Sequence, residues 1–66
     1  MTALSPRKRE LLTLLAEGLT DAQIATRMGI SPNTVNSHKR KLYERLGATC
    51  AAHAVDIGHR HGLIHR

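Results

Sequence analysis

Residues 29 to 32, Gly-Ile-Ser-Pro, constrain this chain more than any other stretch. Ser31 is a favoured helix cap and Pro32 suits the first helical position, so a helix starts here. Gly29 can take a left-handed turn and so end a helix that comes before it. That preceding segment, "TDAQIATRMG", opens with Thr20 and has Gln23 three residues on, a capping-box pattern, with Ile24, Ala25 and Met28 as its apolar stripe. The segment after the junction runs without a breaker to Leu46 and stops at Gly47. A short helix, a Gly-containing turn and a longer helix describe a helix-turn-helix. Many helical hairpins share this spacing, and it becomes specific only if the second helix has two chemically distinct faces.

Two further helices complete the reading. "SPRKRELLTLLAEG" has Ser5 as cap, Pro6 at the first helical position and Gly18 as stop, with Leu11, Leu12, Leu15 and Leu19 at helical spacing and Lys8 and Arg9 on the wetter side. The last helix carries Ala51, Ala54, Val55 and Ile57 and closes before Gly62, with Gly58 inside it as a mark of close packing. The expected helices are 6–17, 21–28, 32–46 and 49–61, in one domain covering residues 1–66. With no Phe or Trp and Tyr43 as the one aromatic, a core of Leu, Ile, Val, Ala and Met favours helix on helix, so the fold class is all-α.

Ten Lys and Arg against five Asp and Glu give a formal charge of +5 and a pI near 10.4. A polyanion is the natural partner of such a body, although a merely solvated basic surface fits the composition equally well. The arrangement along the third helix is more informative. At about 100° per residue, Val35, Leu42 and Leu46 form an inward stripe flanked by His38 and Tyr43. Asn33, Ser37, Arg40 and Glu44 fall opposite, with Asn36 and Lys41 at the margins of that face. Lys39 lies at the margin of the buried side, where its stem can snorkel outwards. Asn, Ser and Arg can pair with base edges in a DNA major groove, while neighbouring cations and hydroxyls hold phosphates.

These elements, in order, resemble the LuxR-type (GerE-type) helix-turn-helix domain of bacterial transcription regulators. The matching segments are "LSPRxxELLxLLAEGL", "IAxRMGIS", "TVxSH" and "KLxxRLG", followed by "AAHAV" and "GLI". The resemblance covers roughly Leu4 to Ile64 and implies a four-helix domain whose third helix enters the major groove. Carried over by position, Asn36, Ser37 and Arg40 face base edges. Thr34, Lys39 and Lys41 lie near phosphates or the groove wall, and Thr20 approaches a phosphate at the start of the second helix. The resemblance makes the fourth helix, through Ala51, Ala54 and Val55, a homodimer contact that places two domains on an inverted repeat. His38 matches the family's histidine after "TV", and its position on the flank of the inward stripe makes it a partly packed, structural residue.

Three positions depart from the family pattern. Asn36 stands where relatives usually have Lys, so the base preference should differ. Lys8 replaces a common Glu, and Ala51 stands where Arg is common, which unsettles the usual polar contacts of the fourth helix.

Competing chemistries are weaker. His59 and His61 are two apart on a helix and point away from each other, and His53 and His65 complete no tetrahedral set, so no metal or other cofactor is expected. Cys50 and His53 are three apart, but nothing else supports nucleophilic chemistry; no catalytic residue is expected, and Cys50 reads as a small residue opening the fourth helix. One aromatic is too few for single-strand stacking. The serious alternative is a helix-turn-helix module that binds a protein, such as another regulator or RNA polymerase. Against it, the third helix carries Lys39, Arg40, Lys41 and Arg45 with only Glu44 opposing them. The expectation is a small bacterial DNA-binding regulator without a receiver or ligand domain. The single Cys and the lack of a leader-like start point to a cytoplasmic, nucleoid-associated setting.

Overall fold

The first three helix starts in this computed structural model, which describes residues 4–64, follow from a local hydrogen bond or a Pro. α1 is Pro6–Ala16, α2 Asp21–Met28, α3 Pro32–Leu46 and α4 Ala51–Arg60, and among the described residues there is no strand. Ser5 Oγ accepts from the backbone N–H of Lys8, and Ser31 Oγ accepts from that of Thr34. At α2 the capping box closes in both directions: Gln23 N–H donates to Thr20 Oγ1 at 3.2 Å, and Thr20 N–H to Gln23 Oε1 at 2.8 Å. Gly29 and Gly47 end α2 and α3 at φ of 71° and 70°, the left-handed conformation that a side chain would strain.

α2 and α3 keep the boundaries expected of them. α1 ends one residue early, at Ala16, and α4 occupies 51–60 rather than 49–61. Cys50 is the N-cap of α4 and makes no side-chain cap bond. The imidazole of His53 instead bonds to the chain ahead of the cap, its Nδ1 accepting from Thr49 N–H at 3.2 Å.

Leu11, Leu12, Ile24, Val35 and Leu42 are fully enclosed and form the centre of the core. α1 touches all three other helices. Its buried arc is therefore wider than the expected stripe: Leu14 is buried, while Leu15 and Leu19 are only partly covered. Leu4 before α1, and Leu63 and Ile64 after α4, also enter the core. Gly58 is a point of close approach, because a β-carbon there would lie 2.8 Å from Leu12 Cδ2. Arg7 of α1 reaches across to α2, its Nη2 donating to the carbonyl oxygen of Met28 at 3.0 Å. A cation at the C-terminal carbonyls of a helix opposes the negative end of its dipole. No helix among the described residues is long and apolar enough to cross a membrane.

Candidate nucleic-acid interface

Val35 and Leu42 anchor α3, since both are completely buried. With that side fixed, helical geometry puts Asn33, Asn36, Ser37, Arg40, Lys41 and Glu44 in solvent, and all six are exposed. Ser37, Arg40, Lys41 and Glu44 line a shallow depression of about 220 Å³. Arg40, Lys41 and Arg45 make no ion pair among the described residues, so the outer side of α3, with Glu44 as its one carboxylate, presents net positive charge beside amide and hydroxyl groups. Such a face can donate to and accept from base edges and attract phosphates.

The remaining expected contacts are less uniform. Thr34 is half-buried, and its hydroxyl lies 2.9 Å from Ser31 Oγ within the cap of α3. Thr20 is exposed, but its backbone N–H is already engaged by Gln23, which leaves the hydroxyl as its donor to an incoming group. Lys39 differs most from expectation: its Nζ donates to Asp21 Oδ1 at 2.9 Å, joining the middle of α3 to the first residue of α2. The Lys39 side chain is 20% exposed, against 45% for Asp21. Its position on the buried margin was readable from helical periodicity, but a partner 18 residues away leaves no local signal. Next to this pair, Tyr43 is half-buried, and desolvation pushes its phenol above the ordinary value of 10.0. Lys39 opposes that shift and Asp21 adds to it. His38 is half-buried on the flank of α3, as its packed reading requires.

On α4 the three residues expected at a dimer contact separate. Ala51 and Val55 keep part of their surface, but Ala54 is wholly enclosed in the core and has none to offer a second copy. A one-sided apolar stripe cannot reveal which of its members the domain's own core takes. His59 and His61 are exposed at the end of α4, and His65 lies outside the described residues. No group of three or more His, Cys, Asp or Glu among the described residues is placed to hold a metal ion. The Nδ1 of His53 is turned to Thr49 rather than to Cys50.

Several known proteins are similar to this chain. The model of the bacterial regulatory proteins, luxR family (GerE), matches residues 2–57. The probable transcriptional regulatory protein SgaR of Hyphomicrobium methylovorum is 51% identical over 57 residues, covering 86% of this chain and 27% of SgaR. The transcriptional regulatory protein MctR of Rhizobium johnstonii is 33% identical over 61 residues, covering 92% of this chain and 28% of MctR. Among solved structures, the response regulator ChrA of a heme-sensing two-component system superposes with a TM-score of 0.90 at 34% identity, covering 97% of this chain and 32% of ChrA. The Vibrio cholerae VqmA dimer, described among LuxR-type receptors that bind DNA, gives a TM-score of 0.88 at 33% identity, covering 96% and 28%. The chain thus spans about a quarter to a third of the length of these four relatives.

Proposed function

The chain belongs to the luxR family of bacterial regulatory proteins, and from that premise we propose that it binds double-stranded DNA through α3, seated in the major groove, to regulate transcription. The family is regulatory rather than enzymatic. The observation that carries the reading is the two-sidedness of α3: Val35 and Leu42 are sealed in the core, while Asn36, Ser37 and Arg40 stand together in solvent. In the proposed complex these three read base edges, with Arg40 suited to guanine and Asn36 to adenine. Lys41 and the hydroxyls of Thr20 and Thr34 lie along the phosphates and fix register. Asn36 contributes a neutral amide to this face, suited to pairing with a base edge rather than to attracting a phosphate.

Two copies related by a twofold axis, meeting through the exposed parts of Ala51 and Val55, would read an inverted repeat. Val55→Glu should then abolish pairing on DNA, as sedimentation would record, and a parent that stays monomeric on DNA would reject the dimer. The experiment that tests the function is in vitro selection from random duplex DNA. Enrichment of a defined site is expected, and enrichment of an inverted repeat would support the dimer as well. No enrichment, combined with retained binding to RNA polymerase or another regulator, would favour a protein-interaction module.

A further inference from the structure

Lys39 and Asp21 stand apart from the other charges around α3. Asp21 is the first residue of α2, directly after the cap Thr20, where a carboxylate is stabilised by the positive end of the helix dipole. Lys39 bonds to it at 2.9 Å with four-fifths of its side chain covered. Arg40 and Lys41, the next two residues, are exposed and make no ion pair among the described residues. Three consecutive cations therefore have two different electrostatic states.

The pair has consequences for any polyanion that approaches this side. If Lys39 turned to a phosphate, it would leave the Asp21 carboxylate uncovered at the start of α2, close to that same phosphate. The gain of one attraction would be offset by an exposed repulsion, so Lys39 adds no net neutralised phosphate while Asp21 is present. The bond also ties the start of α2 to the middle of α3, across the Gly29 turn, adding a polar link to the packing that carries Asn36, Ser37 and Arg40.

We infer that Lys39 and Asp21 form a positioning pair that fixes α3 on α2, and that Asp21 keeps Lys39 out of the cations that neutralise DNA phosphates. The inference rests on the DNA-binding reading above. It replaces the expected phosphate contact of Lys39 and leaves that of Lys41 in place.

The test is the salt dependence of binding to a random duplex and to the selected site, for the parent, Lys39→Met, Lys41→Met, Asp21→Asn and the double variant Asp21→Asn with Lys39→Met. Methionine keeps most of the buried stem, and circular dichroism verifies that each variant is folded. Lys41→Met should flatten the plot of log affinity against log salt by about 0.9, the loss of one phosphate contact. Lys39→Met alone uncovers the Asp21 carboxylate beside the phosphates, so the slope is judged on the double variant, in which neither charge remains. Both variants should lower the ratio of specific to random binding several-fold, since α3 is no longer held in position. Asp21→Asn should steepen the slope by about 0.9 as Lys39 becomes free, and the double variant should return it to the parent's value. In urea unfolding without DNA, the two single substitutions should be non-additive. A slope for the double variant flattened relative to the parent as much as that of Lys41→Met would overturn the inference, as would an unchanged specificity ratio or additive unfolding effects. Salt-insensitive binding by the parent itself would instead overturn the DNA reading, and the unfolding cycle would still judge the pair.

Discussion

Gly58 of α4 approaches Leu12 of α1 so closely that a β-carbon on Gly58 would sit 2.8 Å from Leu12 Cδ2, with Ile64 Cδ1 and Cγ1 at 3.2 Å closing the other side. Leu12 has no exposed surface, so its side chain cannot swing into solvent to make room. An alanine here gains about 1 kcal/mol of helix propensity. Forcing a methyl group into a filled core costs about 1–3 kcal/mol. Gly58→Ala should therefore lower stability by about 1 kcal/mol net, measured as the shift of the urea midpoint. A variant more stable than the parent would show that Leu12 and Ile64 can separate.

Arg7 makes two bonds that cross levels of structure, one to Glu10 Oε1 at 2.9 Å within α1 and one to the Met28 carbonyl oxygen at the end of α2. Its side chain is half exposed, so solvent screens the pair with Glu10, and the bond to Met28 carries most of the effect. Arg7→Ala should cost about 1 kcal/mol of stability in urea unfolding. Arg7→Lys should recover only part of it, because one ammonium cannot span both acceptors as the guanidinium fork does. Full recovery by lysine would show that charge alone matters at this position.

Those two contacts show where reading the chain succeeds and where it stops. Ser5–Pro6, Thr20 with Gln23, and Ser31–Pro32 act through bonds spanning three residues, so the starts of α1, α2 and α3 are visible in the sequence. The start of α4 is less marked, because Cys50 gives no cap bond and the His53 imidazole bonds to Thr49, ahead of the cap. Leu14, Leu63 and Ile64 join the core because of how the helices cross, and periodicity within one segment cannot encode that. The same limit governs the candidate site. The exposure of Asn36, Ser37 and Arg40 follows from helical period alone, whereas the hold of Asp21 on Lys39 and the enclosure of Ala54 depend on neighbouring helices.

Tyr43 makes stability depend on pH in a defined direction. Desolvation, with a contribution from Asp21, raises its folded-state value above the ordinary 10.0, although Lys39 pulls the other way. Between the unfolded and folded values the native state binds more protons, so stability falls as pH rises. The contribution should be fully present below pH 10.0 and lost above it, in the window up to the raised value. Urea midpoints of the parent and of Tyr43→Phe, compared from neutral pH upwards, should diverge in slope only in that alkaline window. Equal slopes throughout would remove Tyr43 as the cause.

Whether α3 reads DNA with its outer face is decided by titrating the selected duplex with the parent and Arg40→Ala over a series of salt concentrations. Arg40 is exposed and outside the core, so its loss should leave folding intact. The parent should weaken steeply with added salt, and Arg40→Ala should lose about 1–3 kcal/mol on the selected site, with a relaxed preference at one base pair. Affinity that changed neither with salt nor with Arg40→Ala would contradict the account.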